Sequence, residues 1–145
     1  LKRVLVIAYG NPLRSDDGVA WQAADSLRAS VPDSVEILCV HQLTPELAED
    51  VSRANLVIFL DAAQGGEPGT VSCDEVFPHQ ELLRFSHHLG PRDVAALSSR
   101  VYGAQPRAFV VSMNGECFDH GQTLSPTAIS SLPQMQAKVV ELIPW

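Results

Sequence analysis

The chain has 145 residues, 46% of them hydrophobic and 19% charged, with a formal net charge of -7. That length supports one domain with a real core and is short for two. The acidic balance argues against nucleic acid and anionic membrane as partners, and no apolar run reaches the ~20 residues that span a bilayer.

The first element is VLVIA, Val4–Ala8, an apolar run without alternation, as expected of a parallel strand covered on both faces. The segment YGNPLRSDDGVA follows and leads into a predicted helix over Gly18–Ala29. There Val19, Ala23 and Leu27 recur every four positions, with Ala20 and Ala24 beside them, forming one apolar stripe. VEILCV, Val35–Val40, reads as the second strand. LTPELAEDVSRA reads as the second helix, with Thr44 as N-cap, Pro45 at the first position and Glu46 in the first turn. LVIFL, Leu56–Leu60, is the third strand, which completes β-α-β-α-β and calls for a parallel sheet.

In the second half, GGEPG (Gly65–Gly69) is a turn and TVSCDEVF (Thr70–Phe77) alternates like an edge strand. PHQELLRFSHHLG reads mostly as loop, and PRDVAALSSRVYG as a helix from Pro91 to a stop at Gly103. AFVVSM, Ala108–Met113, is another strand. LSPTAISSLPQMQAKVVELI is a last helix with Ser125 as N-cap and Pro126 at its first position, and Pro133 is expected to kink or split it. The expected fold is α/β: a three-layer αβα sandwich around a mostly parallel, twisted sheet of about five strands with helices on both faces, as a single domain over 1–145. The N-terminus enters a strand with no signal-peptide pattern. Cys39, Cys73 and Cys117 are odd in number and far apart, so reduced thiols in the cytoplasm are expected.

Ligands of an open α/β sheet bind beyond the carboxyl ends of its strands. Asn11, Asp16 and Asp17 follow the first strand, His41 the second and Asp61 the third. Each has a simpler structural role open to it. One aspartate can cap the helix, where an acid is favoured by about 0.3–1 kcal/mol. Asp61 can be a turn residue and His41 can hydrogen-bond locally. A carboxylate held against an apolar strand end nonetheless needs a partner, because burying it alone is costly. His87 and His88 are adjacent in FSHHLG, and in extended chain only one of two neighbours faces a given site. Two carboxylates and one imidazole would make a three-ligand metal site with open positions, suited to borderline divalent ions such as Ni, Zn, Fe or Mn. H-E-x-x-H, G-x-S-x-G, a P-loop and G-x-G-x-x-G are all missing.

GNPLRSDDGVA, VIFLDAAQGGEPGTV, SHHLGPRDVAAL and GQTLSP, in this order, resemble the hydrogenase maturation endopeptidases, from Val4 to about Val140. HQLTPELAE resembles a subgroup in which a histidine follows the second strand. The resemblance implies an endopeptidase that cuts a C-terminal extension from a [NiFe]-hydrogenase large-subunit precursor after nickel has been inserted. It implies metal contacts at Asp17, Asp61 and His87, with Asp16 as the neighbouring family acid and Asn11 as the loop asparagine. Some members carry Glu where this chain has the shorter Asp17. No ligand role carries over to His88.

This thiolate-free set suits nickel that arrives in the substrate and is not retained, so that a loaded precursor docks and an empty one does not. Either Asp16 or Asp17 could activate water, the metal could polarise the scissile carbonyl, and His41 is a spare proton carrier. The expected partner is the precursor alone, met by a cytoplasmic monomer. A non-enzymatic nickel-binding escort on the same fold is the alternative, and a small-molecule hydrolase or phosphorylase ranks third.

Overall fold

A computed structural model describes residues 3–78 and 89–144. Five strands form one sheet in the order β2-β1-β3-β5-β4, where β1 is Val4–Tyr9, β2 Val35–Val40, β3 Leu56–Ala63, β4 Val71–Glu75 and β5 Arg107–Asn114. β1, β2, β3 and β5 run parallel, and β4 joins β5 antiparallel at the edge. The helices are α1, Val19–Leu27; α2, Leu47–Ser52; α3, Pro91–Tyr102; and α4, Pro126–Leu142.

The pleat divides the core in two, since alternate residues of a strand face opposite sides. Val4, Val6 and Ala8 of β1, with Ile58 and Leu60 of β3, are buried against α1 and α4. Leu5 and Ile7, with Val57 and Phe59, are buried against α2 and α3. Strands covered on both sides explain why the apolar runs of β1 and β3 do not alternate. The expected three-layer αβα fold is therefore the observed one. Among the described residues no helix is long and apolar enough to cross a membrane.

Four departures from the sequence expectation have a local reason, beside shifts of one or two residues at other strand ends. α1 starts at Val19, after a short 3-10 helix over Ser15–Gly18, so neither Asp16 nor Asp17 is its N-cap. α2 starts at Leu47, because Thr44 and Pro45 spend their carbonyls on a tight turn whose acceptors take the N–H groups of Leu47 and Ala48. β3 runs three residues past Leu60, because β5 continues alongside it and pairs Asp61 with Ser112. α4 is one continuous helix through Pro133; both Pro133 and Ile129, whose carbonyl loses its helical partner, are exposed residues. Of the segment expected as loop, residues 79–88 lie outside those described.

Candidate active site

The carboxyl ends of β1, β3 and β5 share one rim of the sheet, and the loop after β1 holds both adjacent aspartates. Gly10 starts that loop at φ 144°, and a side chain there would run into the Asp17 carbonyl. Glycine is thus required where the strand folds back over the 3-10 helix. Asn11 stabilises the bend twice: its side-chain oxygen accepts from Leu13 N (2.9 Å), and its own N–H donates to Asp17 Oδ2 (2.7 Å).

The two aspartates have different surroundings. Asp16 is fully buried, at 0% exposure. Its Oδ2 accepts from the N–H groups of Glu116 (2.8 Å) and Cys117 (3.1 Å) and from Ser125 Oγ (2.7 Å), and its Oδ1 accepts from Ser125 N (2.7 Å). Burial alone would raise its pKa, but the bonds from Ser125, Glu116 and Cys117 outweigh burial and hold it below the ordinary 3.8. Around it, Ser15 donates through N to Gly121 O (2.8 Å) and through Oγ to Asp119 O (2.9 Å), while Asp16 N donates to Cys117 O (3.0 Å). Ser15 adopts a left-handed φ of 51° at this junction. Asp16 therefore clamps the β5–α4 loop onto the β1–α1 loop, with four protein donors on its carboxylate.

Asp17 is only half-buried, and among the described residues its Oδ1 accepts no hydrogen bond. Its charge acts on Asp61, which lies across the rim on β3. Burial is the main cause that raises the pKa of Asp61 to about 6, and Asp17 adds to it. The Tyr9 hydroxyl and the Ala62 N–H pull in the other direction by hydrogen bonding the ionised form. Tyr9 is itself held protonated far above the ordinary phenol value, first by burial, then by the charge and hydrogen bond of Asp61. From sequence Tyr9 stands just past the first strand, which is expected to end at Ala8, and has no assigned role; β1 in fact includes it. It lies one residue past the Ala8–Leu60 pair, beside Asp61, a neighbour that only the folded sheet supplies.

Asp17 and Asp61 are thus brought together, and Asp16 is turned away from them into the clamp. His87 and His88 lie outside the described residues. His41 packs edge-on against Trp21 of α1, ring centroids 5.2 Å apart, and Trp21 Nε1 donates to Val40 O (2.9 Å). Among the described residues no contact joins His41 to either rim acid, and no third His, Cys, Asp or Glu completes a metal-binding group with them. Two oxygen donors with a free lone pair, on a strand end and a braced loop, fit an ion that brings most of its own ligands. A shallow cavity of about 170 Å³, lined in part by Arg3, Ser34 and Glu36, lies at the opposite, amino end of the strands.

No family model matches the chain, and no curated protein does. Solved structures do. A hydrogenase maturating endopeptidase, HybD, from E. coli is 25% identical with a TM-score of 0.78, the match covering 96% of this chain and 90% of that one. An endopeptidase from Escherichia coli is 25% identical with a TM-score of 0.77, over 96% of this chain and 90% of that one. A [NiFe] hydrogenase maturation protease, HycI, from Thermococcus kodakarensis has a TM-score of 0.75 over 97% of this chain and 91% of that one. At 20% identity that last likeness is one of fold. The resemblance to hydrogenase maturation endopeptidases, carried in the sequence by its motifs, thus holds in three dimensions over nearly the whole chain.

Proposed function

We propose that this protein is an endopeptidase that removes the C-terminal extension of a nickel-loaded [NiFe]-hydrogenase large-subunit precursor, and that nickel in the substrate is its recognition element. The observation that carries this is the pair Asp17 and Asp61: one carboxylate with an uncommitted oxygen, facing a second whose ionised form is disfavoured by burial and by its neighbour. Two carboxylates brought together at a sheet rim cost stability unless a cation lies between them in the working state.

Nickel held by the precursor's own ligands supplies that cation. Asp17 and Asp61 take open coordination positions on it, and His87 is the third contact. A precursor without nickel leaves the two acids repelling each other and offers nothing to hold, so the same pair rejects it. Once docked, the scissile peptide lies at the rim. The metal would supply charge that polarises the scissile carbonyl, and a carboxylate of the rim would take the proton of an attacking water and pass it to the leaving amine. Asp16 supports this from behind by bracing the loop that carries Asp17, fully buried and engaged by four protein donors. The enzyme acts as a cytoplasmic monomer of one domain, where its three free cysteines stay reduced.

Asp17→Ala and Asp61→Ala should each abolish cleavage of the precursor while circular dichroism stays that of the folded protein. Full activity in either variant removes that residue from the site. Tight retention of nickel by the enzyme with no cleavage of any matched precursor would instead favour the escort.

A further inference from the structure

We infer that Tyr9 is a positioning residue for Asp61, its hydroxyl fixing one lone pair of the carboxylate so that the remaining ones face Asp17 and the incoming metal. The inference rests on the function proposed above and adds to it a residue outside the ligand set.

Register and pleat together place the two side chains side by side. In the parallel ladder between β1 and β3, Ala8 pairs with Leu60, so Tyr9 and Asp61 are the next residues along and lie side by side. The pleat sends both to the same face: Ile7 and Phe59, two residues earlier on their strands, are buried against α2 and α3, and Tyr9 packs against that same cluster. The ring of Tyr9 is thereby anchored among apolar side chains at the strand end, beside Asp61 and close enough for its hydroxyl and that carboxylate to act on each other's charge.

A carboxylate at the end of a strand can rotate about its terminal torsion unless something fixes it, because that torsion is broad. A donor on a rigid ring supplies the restraint at small entropic cost, since a tyrosine has only two side-chain torsions and both are set here by packing. Groups that hydrogen-bond a metal-ligating carboxylate matter to the metal: losing one typically weakens binding by roughly 10–100-fold. Phenylalanine would keep the ring and its apolar contacts and delete only the donor.

The test is titration of wild-type protein, Tyr9→Phe and Asp61→Ala with Ni²⁺ alone by isothermal calorimetry, alongside steady-state cleavage of nickel-loaded precursor. Tyr9→Phe should weaken Ni²⁺ binding about tenfold. It should raise KM for the loaded precursor more than it lowers kcat, with an unaltered circular dichroism spectrum. Equal Ni²⁺ binding in wild type and Tyr9→Phe, including none in either, overturns the role given to Tyr9. If Tyr9→Phe binds like wild type while Asp61→Ala loses both binding and cleavage, only the Tyr9 inference fails. If Asp61→Ala keeps both, the proposed function fails with it.

Discussion

Replacing Asp61 with Asn should make the protein more stable and inactive. In the folded chain the Asp61 pKa rises from 3.8 to about 6. At about 1.4 kcal/mol per tenfold change in proton affinity, keeping Asp61 ionised above that value costs about 3 kcal/mol relative to the unfolded chain. Asparagine carries no charge and still accepts from Tyr9, though this bond changes from charge-assisted to neutral and gives back about 1 kcal/mol. The D61N variant should therefore gain about 2 kcal/mol near neutral pH. The sign with pH follows from the raised folded value. Below 3.8 both states hold the proton and the cost is absent; it grows as pH rises and is complete above about 6. Urea unfolding of wild type and D61N at about pH 7.5 and about pH 4.5 measures this: the gap should be wide at the higher pH and close at the lower. A D61N variant no more stable than wild type at neutral pH, or a gap that does not change with pH, would refute the burial and repulsion argument for Asp61.

Asp16→Ala strands four donors, from Glu116, Cys117 and Ser125. It should cost about 3–5 kcal/mol by urea unfolding. Because its folded pKa lies below 3.8, Asp16 stabilises the fold above that pH and the contribution is lost as pH falls further. An acid titration of Asp16→Asn should accordingly show a shallower loss of stability below 3.8 than wild type. Gly10→Ala forces the loop off the Asp17 carbonyl and should destabilise by about 2 kcal/mol or more, seen as a lowered thermal midpoint, with cleavage lost as Asp17 shifts. Pro133→Ala restores an N–H in the middle of α4 on its solvent side and should raise stability by about 1 kcal/mol without touching cleavage.

The buried layers of this fold were legible because hydrophobic period reports burial directly: the apolar runs of β1, β2 and β3 fall on observed strands. Ends were less legible. β3 continues through Asp61 because β5 pairs with it, and that partner lies some fifty positions away in sequence, where Ser112 gives no local sign of it. The same holds for the aspartate pair. Asp16 and Asp17 are neighbours of one type, and what separates them is a set of donors about a hundred positions on, at Glu116, Cys117 and Ser125, that only the folded chain brings to Asp16. Family likeness assigned the metal contact to Asp17, while the clamp on Asp16 and the neighbourhood of Tyr9 come from register and pleat. Pro133 is the opposite case: a strong helix breaker in isolation is tolerated on the exposed face of α4.

The central claim is that nickel in the substrate is what Asp17 and Asp61 recognise. The most direct measurement is the mass of the precursor's C-terminus after incubation with this protein, for the same precursor loaded with nickel and free of it. The C-terminal extension should be lost from the loaded precursor only, and from neither after Asp61→Ala. Equal rates of cleavage with and without nickel would contradict it.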